Sequence, residues 1–130
     1  MRVLFVDDDA LLRRLGEYAL SEVGGMSVEL ASDGAEALAA VERAAPDAIL
    51  LDYMMPGMDG DEVLAALQAS SRTRDIPVVF LTAIDDADEL QALHAAGAAG
   101  YLSKPFDPLT LADDLRSLLR GVVTSTALSP

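Results

Sequence analysis

Four stretches of this chain end in residues that could do chemistry together. Val6 is followed by Asp7-Asp8-Asp9, Leu51 by Asp52, Leu81 by Thr82 and Ser103 by Lys104. The set is carboxylates, a hydroxyl and an ammonium. Carboxylates held close repel one another, more so at low dielectric, and they persist together by taking up protons or by binding a cation. Donors that are all oxygen favour a hard ion, Mg2+ or Mn2+, and Mg2+ usually keeps several of its waters. Two roles are then open for Asp52. It is a plain metal ligand, or it is a nucleophile toward phosphorus, since carboxylates form aspartyl phosphates. Phosphoryl transfer asks little of a protein beyond positioning and neutralisation of charge. A metal on one phosphoryl oxygen, Lys104 on another and Thr82 on the last would serve the whole equatorial set. Each residue alone has a plainer reading: Asp52 as a solvated loop acid, Thr82 as a strand end, Lys104 as a surface lysine. Lys104 is set apart by composition as well, because it is the only lysine among nine Lys and Arg residues.

These residues need elements to bring them together. Short apolar runs predict strands at Arg2–Val6, Ser27–Ala31, 48–51, 77–82 and Gly100–Ser103. Between them lie helical patterns. The first places Leu11, Leu12, Leu15, Ala19, Leu20 and Val23 inward and stops at Gly24-Gly25. The second covers 35–45 with Ala37, Leu38 and Val41 inward and ends at Pro46, the third covers 61–70 and the fourth 86–96. The last starts from Asp107 as N-cap with Pro108 in its first turn and runs to about Arg120. Regular alternation of strand and helix predicts an α/β fold with a parallel sheet covered on both faces. In such sheets ligands sit beyond the C-terminal ends of the strands. Asp7, Asp8, Asp52, Thr82 and Lys104 all follow or end strands, so they are expected at one mouth.

The totals bound the function. At 130 residues the chain is read as one domain over 1–120, with 121–130, which carries no charge, as a tail or the start of a linker. The net charge of −13 argues against direct binding of nucleic acid or of an anionic membrane surface by this domain. There is no cysteine, hence no disulfide and no thiolate metal site. No apolar run approaches the ~20 residues needed to span a bilayer, and the N-terminus leads straight into a strand with no export signal. A cytoplasmic protein is expected.

Taken together, Val6-Asp7-Asp8-Asp9, Leu51-Asp52-Tyr53-Met54-Met55-Pro56-Gly57-Met58-Asp59-Gly60, Phe80-Leu81-Thr82-Ala83 and Gly100-Tyr101-Leu102-Ser103-Lys104-Pro105-Phe106 resemble the receiver domain of bacterial two-component response regulators. In length the chain is similar to the single-domain chemotaxis regulator. The resemblance implies a flavodoxin-like (βα)5 fold with strand order 2-1-3-4-5. It implies that Asp52 accepts a phosphoryl group from the phosphohistidine of a sensor kinase or phosphotransfer protein. Asp8 and Asp52 would bind Mg2+ directly (Mn2+ is the other candidate), with Asp7 near it through water and the Met54 backbone carbonyl as a further ligand. Lys104 would pair with the acceptor and then with the phosphoryl group, and Lys104-Pro105 is expected to be cis. Thr82 and Tyr101 would be the switch pair, relaying the change to the face formed by the fourth helix, fifth strand and fifth helix. By this resemblance the protein is no enzyme in the ordinary sense and catalyses only its own phosphorylation and dephosphorylation. Met54 and Ile84, which flank the expected path of the attacking water, are apolar and imply slow autodephosphorylation.

Other readings stand beside these. Asp9 is expected as the N-cap of the first helix rather than as a ligand. Tyr101 has the alternative of an ordinary sheet aromatic, and His94 is expected to be a bystander. Met54, Met55 and Met58 are expected to pack the loop after Asp52, and Gly57 and Gly60 to serve turns. A metal-dependent phosphohydrolase of the haloacid dehalogenase type also uses an aspartyl nucleophile, but it places a second Asp where this chain has Met54. A flavodoxin-like FMN binder is disfavoured because Asp7-Asp8-Asp9 would repel the phosphate. The output partner is open. Asp86, Asp88, Glu89, Asp113, Asp114, Arg116 and Arg120 make the expected output face mostly acidic, which suits a basic partner or a phosphorylation-dependent dimer. The turn Gly97-Ala98-Ala99-Gly100 lacks the acidic pair typical of the subfamily of transcription factors that dimerises there.

Overall fold

Strands that are apolar along their whole length need cover on both faces, and the centre of the sheet is built from such runs. In the computed structural model, which describes residues 1–83 and 86–128 and side chains among them as far as residue 121, β3 (Ala48–Asp52) and β4 (Val78–Thr82) are buried at every position. They are flanked by β1 (Arg2–Val6) and β5 (Gly100–Ser103), and β2 (Ser27–Ala31) lies beyond β1. The order is β2-β1-β3-β4-β5 and every pairing is parallel. β5 alternates between half-buried and exposed residues, as an edge strand does.

The helices are α1 (Ala10–Glu17), continued by a π-helical turn (Tyr18–Val23), then α2 (Gly34–Arg43), α3 (Gly60–Gln68), α4 (Ala87–Ala95) and α5 (Leu111–Leu128). They divide between the two faces. Ala19, Leu20, Leu111, Ala112 and Leu115 pack on Val3, Phe5, Leu50, Val79 and Leu81. On the other face Ala37, Val41, Val63, Leu64, Leu67 and Leu93 pack on Leu4, Val6, Ile49, Leu51 and Phe80. Alternate residues of each strand thus feed alternate cores.

Two helices depart from their sequence patterns. Leu11 and Val23 are 65% and 41% exposed instead of facing inward. Gly16 is the reason at one end: it lies so close against the Phe5 ring that a Cβ would come within 2.5 Å, which centres the buried face on Gly16, Ala19 and Leu20. At the other end the wider π turn rotates the face away from Val23. α5 starts at Leu111 rather than next to Pro108. Asp107 Oδ1 caps Leu109 N–H at 2.9 Å, so the acid serves a turn ahead of the helix. The helix also continues to Leu128, past Arg120 and into the uncharged segment.

Candidate functional site

β1 and β3 are neighbours although β2 follows β1 in the chain, so the strand order reverses between them. A crevice opens at such a reversal beyond the carboxyl ends of the strands. Register carries the acids into it. Val6 lies opposite Leu51, so the next residues, Asp7 and Asp52, stand side by side on adjacent strands. Asp7 is fully buried and Asp52 nearly so, while Asp8 is exposed. One carboxylate oxygen from each of Asp7, Asp8 and Asp52 lies within 4.8 Å of the others.

Lys104 approaches from two strands away. Thr82 lies opposite Ser103, and Lys104 N–H donates to the Thr82 carbonyl at 2.9 Å. Its side chain spans β4 and brings Nζ to 3.1 Å from Asp7 Oδ2 and 3.1 Å from Asp52 Oδ1. The Lys104-Pro105 bond is cis. Thr82 is buried at the end of β4. Tyr101, opposite Phe80, is 45% exposed and borders a cavity of about 550 Å³ also lined by Ala87, Leu90 and His94 of α4. His94 itself is exposed.

The charges are not balanced. Burial pushes the Asp52 carboxyl up from 3.8 to about 6; the hydrogen bond from Lys104 opposes that rise and the charge of Asp7 adds to it. For Lys104, burial works against the charged form, but Asp7 and Asp52 together outweigh it and raise its affinity for its proton. One ammonium therefore serves two buried carboxylates. Asp7 Oδ2 reaches it as an ion pair, and among the described residues no hydrogen bond of good geometry ends on that buried oxygen. A buried anionic oxygen without a hydrogen bond, in a ring of oxygen donors, fits a small divalent cation. Asp7, Asp8 and Asp52 suit Mg2+ or Mn2+.

The turn that carries Asp7 is held on both sides. Asp9 N–H donates to Asp7 Oδ1 at 2.9 Å, and Arg13 Nη1 donates to the Asp7 carbonyl at 2.8 Å. Asp9 Oδ1 accepts from Leu11 and Leu12 N–H at 2.8 and 3.2 Å, so it is the N-cap and not a member of the acid cluster. On the far side, Tyr53 donates its hydroxyl to Asp61 Oδ2 at 2.9 Å, and its ring meets Phe80 edge-on at 5.5 Å. Burial and that acid push the Tyr53 phenol up to about 12. Arg13 and Tyr53 were not legible as site residues. Their contacts depend on a side chain folding back over a helix start and on a loop closing, and the sequence shows only an arginine and an aromatic.

The loop after Asp52 corrects two expectations. Met55 is buried and Met58 packs on the core, but Met54 is 73% exposed and packs nothing. Gly57 does serve a turn, with φ +80. Gly60 is needed for closeness instead: a Cβ there would come within 2.6 Å of the Phe80 ring. Ile84 lies outside the described residues.

Comparison with known proteins bears on this site. The sequence pattern of the response regulator receiver domain matches residues 3–116. A response regulator named MprA from Mycobacterium leprae is 48% identical over 120 residues, and one from Mycobacterium avium 46%; each alignment covers 92% of this chain. The chain spans about half, 51%, of the length of these relatives. Among solved structures, the chemotaxis response regulator CheY4 of Vibrio cholerae superposes with a TM-score of 0.84 at 38% identity, over 90% of this chain and 97% of that one. A putative response regulator from Chloroflexus aurantiacus gives 0.82 at 34% identity, over 92% and 97%. Among the described residues, no helix is long and apolar enough to cross a membrane.

Proposed function

The chain belongs to the response regulator receiver family, and from that premise we propose that Asp52 is its phosphoacceptor. A carboxylate oxygen of Asp52 attacks the phosphorus of a phosphohistidine on a sensor kinase or phosphotransfer protein. The P–O bond of an acyl phosphate forms as the P–N bond to the imidazole breaks. The single observation that carries this is the cluster of Asp7, Asp8 and Asp52 oxygens within 4.8 Å, with Lys104 Nζ 3.1 Å from both Asp7 and Asp52.

The remaining roles follow from position. Asp8 and Asp52 would hold Mg2+ or Mn2+, with Asp7 beside them and the Met54 carbonyl as a further ligand. Bound there, the ion would offset negative charge on the phosphoryl oxygens. Lys104 neutralises Asp52 and then turns to a phosphoryl oxygen. Thr82 donates to another, and the Tyr101 ring, half-exposed beside the cavity under α4, moves inward in response. The α4–β5–α5 face is thereby altered for an output partner or a second copy of the chain. The reaction is a self-modification and not turnover of free substrate. We place the protein in the cytoplasm and read residues 121–130 as leading out of the receiver unit.

The test is incubation with Mg2+ and acetyl phosphate. A base-labile gain of one phosphoryl group is expected, absent in Asp52→Asn. Its persistence in that variant, or its absence from the parent chain, would sink the assignment. Steady turnover of small phosphate esters would point instead to a phosphohydrolase.

A further inference from the structure

Asp7 is the first residue beyond the ladders of β1. Both pairings of that strand end at Val6, which faces Ala31 on one side and Leu51 on the other. The Asp7 N–H still finds the Ala31 carbonyl at 3.1 Å. Its carbonyl lies past the end of the register, on a fully buried residue, where a backbone acceptor needs a donor from elsewhere. Arg13 supplies one, with Nη1 at 2.8 Å.

The helix explains how. Side chains on a helix lean toward its N-terminus. Arg13 stands one turn into α1, and its own N–H donates to the carbonyl of the N-cap Asp9 at 3.0 Å. Its guanidinium passes back over the cap to Asp7 and is half-buried, whereas Arg14, next in sequence, is exposed. Asp7 is thus clamped twice, through its carboxylate by Asp9 N–H and through its backbone by Arg13. Among the described residues Arg13 forms no ion pair with any carboxylate, so it puts positive charge behind the acids and leaves their oxygens open.

We propose that Arg13 is a positioning residue of the metal and phosphoryl site: it fixes the Asp7-Asp8 peptide, and with it the direction of both carboxylates, through the Asp7 carbonyl. The inference rests on the metal reading given above. Groups that orient metal ligands without touching the ion typically change affinity by about 10- to 100-fold when removed. Arg13 acts through a backbone atom, which puts it at the lower end of that range.

The experiment titrates Mn2+ into the full chain and follows free Mn2+ by electron paramagnetic resonance. Thermal unfolding in EDTA is measured alongside. Arg13→Met should weaken Mn2+ binding by about tenfold. Arg13→Lys, which keeps a charge and a long-reaching donor, should recover most of the loss. Unfolding temperatures in EDTA should not track the affinities. Should Arg13→Met fail to fold, Arg13→Gln carries the test, because its uncharged and shorter amide must also weaken binding. Undiminished Mn2+ binding in these variants, or equal losses in Arg13→Lys and Arg13→Met, would overturn the proposal while the parent still binds. No Mn2+ binding by the parent would overturn the metal reading and this inference with it.

Discussion

The two ends of the sheet handle charge in opposite ways. Around the first residue of β1, Arg2, Glu29, Arg43 and Asp47 each have a partner of the other sign or a backbone group. Arg2 donates through Nη1 to the Ala44 carbonyl at 2.9 Å and pairs through Nη2 with Glu29 at 2.7 Å. Arg43 takes the other Glu29 oxygen at 2.8 Å, and Asp47 accepts the Arg2 backbone N–H at 2.7 Å. At the other end, the buried Asp7 and Asp52 share a single lysine with the exposed Asp8 beside them, and among the described residues no hydrogen bond ends on the buried Asp7 Oδ2. An unbalanced buried charge costs several times more than a surface pair returns. A fold that balances charge at one end and leaves a surplus of oxygen donors at the other offers the second a fit for a hard cation. The net charge of −13 does not reveal this, because most of those acids lie on solvated surfaces.

The contrast can be broken first at the lysine. Lys104→Met should slow phosphoryl uptake from acetyl phosphate by about 10²- to 10³-fold at saturating Mg2+, the usual consequence of removing one charge-stabilising donor. Uptake rates of the two proteins, measured side by side, check it.

Next is the cost of the surplus itself. The folded state holds the Asp52 proton more tightly than the unfolded chain does, up to about 6 against 3.8. Between those values the folded state keeps a proton that the unfolded state has lost, so stability falls as pH rises and the penalty is complete above about 6. In EDTA at pH 7, Asp52→Asn should therefore be more stable than the parent by up to roughly 3 kcal/mol. The gain should fade as pH is lowered toward 4, where Asp52 of the parent is neutral. Urea unfolding across that range measures it, and a destabilised Asp52→Asn at pH 7 would contradict the idea of a surplus.

The exposed rim gives a smaller effect. Met54 offers no group that could orient water, and Ile84 is likewise apolar. Met54→Asn combined with Ile84→Glu should shorten the phosphoryl half-life by about tenfold, the scale of a modest general-base contribution. An unchanged or longer half-life refutes the reading that these apolar residues slow autodephosphorylation. Smallest of all is a change at the balanced end. Glu29→Gln should cost about 0.5–1 kcal/mol, as partly exposed pairs do, and leave phosphoryl uptake unchanged.

The features legible in the sequence were those set by near neighbours in the chain. Asp9 as N-cap, β2 at Ser27–Ala31 and the end of α2 before Pro46 all follow from local propensity. What failed was local pattern under tertiary override. Leu11 and Val23 fit an inward stripe, but Gly16 against Phe5 and the π turn set the face elsewhere. Gly60 reads as a turn residue and proves to be a close contact with Phe80. Arg13 reads as one of several helix arginines until its guanidinium is seen to end on Asp7.

By itself, the sequence determined the parts: apolar strands that stop at Asp7, Asp52, Thr82 and Lys104, helices between them, and the chemical types of the donors. It did so because strand and helix periodicity are written in adjacent residues. The tertiary structure alone decided that Asp7 and Asp52 share a register row, that Lys104 spans β4 to reach both, and that burial leaves their charges unmatched. Those outcomes depend on the crossover that sets β3 beside β1 and on the water excluded there, and neither is a property of any one segment of chain.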